Sequence, residues 1–253
     1  MSFKYNTGLV LSGGGVRGFA HLGMLKAMEE YELKPDIISG VSAGAIVAVF
    51  YADGFSSEEI FEILSEQKIF GLIGFNIPRH GLFRFAGLES VLLKNLRSRT
   101  FKGLKIPIIT CATDISHGKL KYFSEGKLIR TILASSCIPI LFTPVEIDGL
   151  QYVDGSLMNN LPVEPLENKC SKIIASYVDT MDGETNKLMS IFHIADSLLA
   201  IGGQFRSAIN QKKADILISP AKMMKYGLHD LDKAREIFDK GYNEALKVLK
   251  KNF

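Results

Sequence analysis

Short apolar runs and helical periodicities alternate along the first part of the chain. Residues 7–12 form an apolar run that stops at a glycine cluster, which predicts a buried strand. Apolar positions then recur at spacings of three and four over residues 19–31, which predicts a helix that ends before Pro35. Residues 36–39 predict a second strand, and residues 43–51 predict a second, almost wholly apolar helix. This alternation predicts an α/β fold with a parallel sheet and helices packed on its faces.

The same alternation continues to the end of the chain. Further strands are predicted over residues 107–112, 119–123, 173–178 and 214–218, with a hairpin over 145–153. Further helices are predicted over residues 56–67, 88–97, 128–134, 189–210 and 231–249. Residues 69–87 are rich in Phe and Gly and lack a clean period, so they predict a loop. No repeat or linker interrupts the pattern, so we expect one domain over residues 1–253.

Composition and charge narrow the classes of protein. Apolar residues make up 47% of the chain and charged residues 23%, which allows a sizeable core. The net charge of +3 comes from scattered basic residues and gives no support for nucleic-acid binding. The longest uncharged run, residues 37–52, is shorter than the ~20 residues that span a bilayer. The amino terminus lacks an export signal, so we expect a cytoplasmic protein or one peripheral to the membrane.

The sharpest chemical motif is GVSAG at residues 40–44, a G-x-S-x-G sequence between a predicted strand and a predicted helix. A serine hydroxyl becomes a useful nucleophile only when it is exposed, aimed and hydrogen-bonded to a base. A tight strand-to-helix turn aims the serine, and its glycines avoid the clashes that Cβ atoms would make. The motif therefore makes Ser42 the candidate nucleophile, with a helix-capping serine as the alternative.

A second motif, GGGVRG at residues 13–18, lies between the first strand and the first helix. It matches the dinucleotide-binding pattern G-x-G-x-x-G, but the second strand ends at Ser42 and not at the acid that would hold a ribose. Bare backbone N–H groups at a helix start can equally stabilise an oxyanion, which is the interpretation we favour. Arg17 is the candidate substrate-binding residue, because it could hold a phosphate; a structural ion pair is the alternative.

The catalytic partner of Ser42 is less obvious from the residues alone. Asp154 follows a predicted strand and precedes a glycine, a position that a simple turn former can also occupy. Histidine is the usual base, and of the five histidines only His193 and His229 follow Asp154 in the chain. His193 falls in a helical pattern and His229 in a polar stretch before the last helix, so neither is typical of a triad histidine.

Taken together, the motifs resemble those of the bacterial single-domain patatin-like phospholipases. GGGVRG, GVSAG and DGS at residues 154–156, followed by NNLP at 159–162, occur in that family's order. Further matches are GLF at 81–83, ATD at 112–114, ASSCIP at 134–139, ADILISP at 214–220 and the ending between residues 227 and 242. The resemblance therefore extends from about residue 7 to about residue 245.

The resemblance implies a three-layer α/β/α sandwich around a mostly parallel sheet. It also implies a Ser–Asp dyad, with Ser42 as nucleophile, Asp154 as base and the glycine loop as oxyanion hole. The implied oxyanion-hole residues are Gly13, Gly14, Gly15 and Gly18. The implied reaction is lipid acyl hydrolysis of the phospholipase A or esterase type, without metal or cofactor, on a lipid or ester substrate that a membrane surface could present. The Phe-rich residues 69–85 are then the candidate acyl pocket or interfacial flap, with a segment packed on its own core as the alternative.

One departure from the family pattern follows the Asp154–Gly155 pair. The family commonly has a glycine or alanine where this chain has Ser156. The serine could narrow the space beside Asp154 or donate a hydrogen bond that lowers its basicity. A non-catalytic lipid-binding protein on the same fold is the main alternative function, and a nucleotide-dependent oxidoreductase is the second. Nothing in the sequence indicates an oligomeric state.

Overall fold

The computed structural model describes residues 3–66, 86–180, 191–227 and 230–253. Within these residues the strands form one eight-stranded sheet. The strands are β1 (Tyr5–Leu11), β2 (Ile37–Gly40), β3 (Ile108–Asp114), β4 (Lys119–Phe123), β5 (Val145–Ile147), β6 (Leu150–Asp154), β7 (Cys170–Ser176) and β8 (Ile216–Ile218).

Parallel pairing dominates the sheet, as the sequence predicts. The strand order is β5-β6-β3-β2-β1-β7-β8, and β4 also pairs with β3. The run β3-β2-β1-β7-β8 is parallel throughout. Three pairs are antiparallel: β3 with β4, β3 with β6, and β5 with β6. The predicted hairpin over residues 145–153 is the β5–β6 pair.

The helices fall close to their predicted positions. They are α1 (Phe19–Glu30), α2 (Ala43–Ala52), α3 (Ser57–Glu66), α4 (Ala86–Asn95), α5 (Leu128–Ser135), α6 (Ile191–Gln211) and α7 (Ala234–Asn252). Helix α4 begins at Ala86, inside the segment predicted as loop. The rest of that Phe-rich segment, with the predicted acyl pocket or flap, lies outside the described residues. None of the described helices is long and apolar enough to cross a bilayer.

The two faces of the sheet are covered differently. Because successive strand residues point to opposite faces, Leu9 and Leu11 of β1 enter one core while Val10 enters the other. The first core is shared with α1, α2, α3, α4, α5 and α7. On the second face, Val10 packs with residues of the segment 161–170, and α6 lies over this segment through the Asn210 bond to the Leu161 carbonyl. The molecule therefore has the three layers that the resemblance implies.

The sheet register brings Ser42 and Asp154 close together on the two sides of β3. Gly40, near the end of β2, pairs with Thr110 of β3. Asp154, at the end of β6, pairs with Ala112 of the same strand, two residues further along. Strand β6 therefore ends beside the turn that follows β2, with only β3 between them.

Candidate active site

The turn between β2 and α2 holds Ser42 in a strained backbone conformation. Ser42 has φ 52° and ψ −123°, a combination that L-residues other than glycine rarely adopt. Such a conformation costs on the order of 1–3 kcal/mol and persists only where the surrounding structure enforces it. Gly44 helps to enforce it, since a Cβ at this position would lie 2.6 Å from the Ser12 carbonyl oxygen. The close approach of the start of α2 to the end of β1 therefore holds the backbone at Ser42.

Two serines at the end of α5 fix the backbone of this turn. The Ser42 N–H donates to Ser135 Oγ at 3.1 Å, and Ser136 Oγ donates to the Ser42 carbonyl at 3.3 Å. Thr110 Oγ1 on β3 donates to Ser135 Oγ at 3.0 Å. All three side chains are buried. They were not singled out from the sequence as site residues, although Ser135 and Ser136 lie within the ASSCIP motif.

The structure brings Ser42 and Asp154 into direct contact. Ser42 Oγ donates a hydrogen bond of 2.7 Å to Asp154 Oδ2. The other carboxylate oxygen, Oδ1, accepts from the Ser156 N–H at 2.8 Å. Asp154 is fully buried, whereas Ser42 keeps 8% of its surface exposed. The serine hydroxyl can therefore reach a ligand while its partner carboxylate is shielded from water.

Burial controls the charge state of Asp154. Removal from water disfavours the ionised form and raises the pKa of Asp154 to about 6, against the opposing hydrogen bond from Ser42. An ordinary aspartate has a pKa near ~3.9 and is a weak base. The raised pKa makes Asp154 a better proton acceptor, and it is still ionised near neutral pH.

The described histidine side chains do not contact Ser42. His21 is buried beneath the glycine loop, with Nδ1 2.8 Å from Ser176 Oγ and Nε2 2.9 Å from the Ser12 carbonyl. Burial lowers the pKa of His21 to about 4, so its ring is neutral near pH 7. His117 bonds Asp114 at 2.8 Å. His229, His80 and the His193 side chain lie outside the described residues.

The glycine loop runs from β1 into a 3-10 turn, Gly15–Gly18, that leads to α1. The Gly13 N–H donates to Asn160 Oδ1 at 2.9 Å, so it is not free for an oxyanion and the prediction for Gly13 is wrong. Among the described residues, no acceptor is found for the N–H groups of Gly14 and Gly15. Gly18 lies where the loop meets the start of α2, and a Cβ there would be 2.8 Å from Ala43 Cβ.

Arg17 is the clearest correction to the sequence-based site. Its side chain is only 1% exposed and lies among carboxylates instead of facing a substrate. Its guanidinium contacts Asp179 at 2.7 Å and both oxygens of Asp196 at 2.8 and 2.9 Å. Burial opposes the charge, but the two carboxylates raise the pKa of Arg17 above its ordinary value. The prediction of substrate binding is therefore wrong, because Arg17 belongs to a buried ion cluster.

Asn160 connects this ion cluster to the glycine loop. Its Nδ2 donates to Asp179 Oδ2 at 2.7 Å, while its Oδ1 accepts the Gly13 N–H. The loop is therefore fixed at both ends, by Asn160 at Gly13 and by the ion pairs at Arg17. Sequence reasoning gave no role to Asn160 or Asp179; the NNLP motif was the available signal for Asn160.

A small apolar cavity opens beside Ser42. Its volume is about 60 Å³, and most of its lining is hydrocarbon. The lining includes Gly15 and Ser42 together with Val16, Phe19, Ala43, Ile46, Val47, Leu64, Ile138 and Leu231. Such a lining suits an apolar chain held next to the serine. The site therefore combines a strained serine turn, a carboxylate bonded to the serine, an apolar cavity, and the Gly14 and Gly15 N–H groups, for which the described residues supply no acceptor. These features together are typical of a serine hydrolase on an α/β sheet.

Comparison with known proteins defines the family. The family model described as patatin-like phospholipase matches residues 9–167, more than half of the chain. The chain therefore belongs to the patatin-like phospholipase family. The matched region contains the glycine loop, Ser42 and Asp154.

Curated relatives are similar over part of their length. An uncharacterized NTE family protein of Mycobacterium tuberculosis is 32% identical over 160 residues, which cover 62% of this chain and 44% of that protein. Lysophospholipase NTE1 of Cryptococcus neoformans is 31% identical over 185 residues, covering 69% of this chain and 11% of that protein. The chain thus spans less than half the length of these relatives.

Solved structures with similar folds extend over nearly the whole chain. VipD from Legionella pneumophila superposes with a TM-score of 0.63 at 16% identity, covering 98% of this chain and 67% of that one. Human GIVD cytosolic phospholipase A2 superposes with a TM-score of 0.50 at 11% identity, covering 98% and 59%. At these identities the likeness is one of fold.

Proposed function

We propose that this chain hydrolyses lipid acyl esters, as a phospholipase A or a broader esterase, with Ser42 as nucleophile and Asp154 as base. The single observation that supports this proposal most is the 2.7 Å hydrogen bond from Ser42 Oγ to Asp154 Oδ2. Membership of the patatin-like phospholipase family supports the substrate class.

Acylation begins at the serine. Ser42 Oγ attacks the ester carbonyl carbon, and its proton passes to Asp154 Oδ2. The carbonyl oxygen becomes an oxyanion. When the tetrahedral intermediate collapses, the bond to the leaving alcohol breaks, and that oxygen takes the proton from Asp154. The products of this step are the free alcohol, or a lysolipid, and an acyl group on Ser42.

Deacylation repeats the same proton movements with water. Asp154 takes a proton from a water molecule as the water oxygen attacks the acyl carbon. Collapse of the second tetrahedral intermediate releases the carboxylic acid, and Ser42 Oγ regains the proton from Asp154. Both steps therefore need Asp154 ionised at the start, a state that its pKa of about 6 permits near neutral pH.

The oxyanion needs hydrogen-bond donors that are already in place. The N–H groups of Gly14 and Gly15 fill this role in the proposal, because they have no acceptor among the described residues. The Ala43 N–H is a third candidate, since the residue after the nucleophile commonly donates in G-x-S-x-G turns. One such donor contributes about 3 kcal/mol to transition-state stabilisation.

A fluorophosphonate probe tests this assignment. The unsubstituted protein should be labelled at Ser42 and should hydrolyse p-nitrophenyl butyrate, while Ser42→Ala should do neither. Asp154→Asn should lower the rates of labelling and of ester hydrolysis at least ~10³-fold, because the proton acceptor is lost. Ser116→Ala, at an exposed serine, is the matched control and should behave like the unsubstituted protein. Lipid binding without labelling or turnover would favour the non-catalytic alternative instead.

A further inference from the structure

Helix α6 presents a continuous apolar stripe on its outer face. Phe205 is 81% exposed, Ile201 57% and Leu198 50%, which is unusual for side chains of this size. The stripe recurs at spacings of three and four, which places it on one side of the helix. It consists of Ile194, Leu198, Ile201, Phe205 and Ile209. From first to last it extends ~22 Å at 1.5 Å per residue.

The opposite face of α6 is packed against the candidate active site. Asp196 binds Arg17 of the glycine loop through both carboxylate oxygens. Gly203 lies against the Ser156 carbonyl, since a Cβ there would be 2.6 Å from that oxygen. Ala195 and Leu199 pack with Ile138, which also lines the cavity beside Ser42. The inner face of the helix is therefore fixed against residues that surround the site, and the stripe lies on the opposite face.

The area of the stripe argues against a second copy of the chain as its occupant. Five side chains at these exposures offer on the order of 500 Å², below the ~800 Å² that each partner contributes to a standard stable interface. Docking on a lipid surface requires no minimum contact area, because the burial of each apolar side chain contributes separately to the binding free energy.

The charges of the helix fit an anionic lipid surface. The acidic residue in α6, Asp196, is buried against Arg17, so the outer face has no negative charge. Past the stripe, Lys212 and Lys213 follow the end of the helix and are exposed. Lys213 also forms an ion pair of 2.8 Å with Glu167, so Lys212 is the residue offered to an anionic headgroup. Basic residues beside an apolar stripe are the arrangement that binds anionic headgroups and acyl chains together.

We propose that the stripe on α6 is the surface through which this protein docks on an anionic phospholipid bilayer. This inference rests on the proposed function, because a lipid ester substrate resides in such a surface. Docking through α6 leaves only the width of that helix between the lipid and Ser156, because Gly203 on the inner face lies against the Ser156 carbonyl.

Vesicle sedimentation of an inactive protein tests the docking surface without depending on turnover. Ser42→Ala protein is mixed with vesicles of equal parts phosphatidylcholine and phosphatidylglycerol. The further substitutions Leu198→Gln and Phe205→Gln should lower its partition onto vesicles at least ~10-fold. Leu93→Gln on α4 is the matched control, because Leu93 is 49% exposed and Leu198 is 50% exposed. The control should sediment as the parent does.

The outcomes separate the two proposals. Equal sedimentation of the double variant and the parent, or no sedimentation of the parent, would overturn docking through α6. A dimer in analytical ultracentrifugation that the double variant abolishes, without vesicle binding by the parent, would assign the stripe to a second copy and also overturn it. When Leu198→Gln and Phe205→Gln are placed in protein that retains Ser42, hydrolysis of vesicular lipid should fall while hydrolysis of p-nitrophenyl butyrate is kept. Absence of all ester hydrolysis would refute the proposed function. The sedimentation result could still be interpreted, because it is measured on inactive protein.

Discussion

A single buried carboxylate controls the chemistry proposed for this chain, because Asp154 must be ionised to accept the proton of Ser42. Its pKa of about 6 therefore predicts the pH profile of the reaction. Below pH ~6, kcat/KM for p-nitrophenyl butyrate should fall about tenfold per pH unit, and above it the rate should level off. A profile that stays flat down to pH ~4, the ordinary aspartate range, would contradict the raised pKa.

The same burial makes ionised Asp154 costly for stability. The raised folded-state pKa favours the neutral form, so stability is lost as pH rises from the unfolded value near ~3.9 through about 6. An asparagine stays neutral. Its Oδ1 can accept the Ser156 N–H, and its Nδ2 can donate to Ser42 Oγ in place of the bond that Asp154 accepts. Asp154→Asn should therefore raise the free energy of unfolding at pH 7.5, measured in urea, by up to ~3 kcal/mol. This gain should shrink toward pH 4, where Asp154 is also neutral. A variant less stable than the parent at pH 7.5 would refute this explanation.

Ser156 is buried, and no hydrogen-bond partner for its hydroxyl is found in the part of the chain that the structure describes. An unpartnered buried hydroxyl costs about 1–3 kcal/mol. Ser156→Ala should therefore keep or raise the free energy of unfolding, by about 1 kcal/mol, and should retain activity, because the N–H that bonds Asp154 remains. Thermal melting and p-nitrophenyl butyrate turnover measure the two effects. A loss of activity of ~10-fold or more would instead give the hydroxyl a positioning role.

At the residue scale, a local sequence motif predicts a site residue only where the local backbone geometry requires that motif. Ser42 follows from G-x-S-x-G, whose spacing the strand-to-helix turn requires. Arg17 could not be placed in the same way, because its partners Asp179 and Asp196 lie more than 160 positions further along the chain. The bond from Gly13 to Asn160 is equally long-range, so the sequence could not reveal that this N–H is occupied.

At the scale of elements, α1 and α7 come into backbone contact through small residues. A Cβ on Gly241 would clash with the Ala20 carbonyl oxygen of α1, and one on Gly23 would clash with the Phe238 carbonyl oxygen of α7. Both atoms belong to helix backbone and cannot move aside alone. Gly241→Ala should therefore destabilise the fold by ~3 kcal/mol or more in urea unfolding.

Gly118→Ala is the control for that substitution. Gly118 has φ 63° and nothing within 4 Å of a built Cβ, so alanine there costs only about 1 kcal/mol of backbone strain. If the two alanine variants were equally stable, the close packing of α1 on α7 would not be a significant source of stability.

Element positions were largely predictable, because the helices have an apolar period and the central strands are short apolar runs bounded by turn residues. The amphipathic and apolar helices and the central strands fall within a few residues of their predicted bounds. The order of strands was not predictable, since pairing of β6 with β3 depends on contacts between segments about 40 residues apart. The exposed stripe on α6 was hidden for a similar reason: the sequence shows apolar positions, but only packing reveals which face remains uncovered.

At the scale of the whole molecule, the candidate catalytic pair depends on segments from most of the chain. The family match spans residues 9–167, yet Asp196 and Gly203 of α6 lie beyond it and still contact the glycine loop and the segment after Asp154. A variant that shortens the chain before α6 should therefore lose activity even though Ser42 and Asp154 remain. Retained ester hydrolysis by a folded 1–180 fragment would contradict this dependence.

A crystal structure of the adduct with an alkyl fluorophosphonate tests the central claim most directly. The phosphonate oxygen mimics the oxyanion of the tetrahedral intermediate. We expect phosphorus bonded to Ser42 Oγ, with one phosphonate oxygen ~3 Å from the Gly14 and Gly15 N–H groups. The alkyl chain should lie in the cavity lined by Val16 and Ile46. Phosphorus on another residue, or an oxygen that points away from the glycine loop, would contradict it.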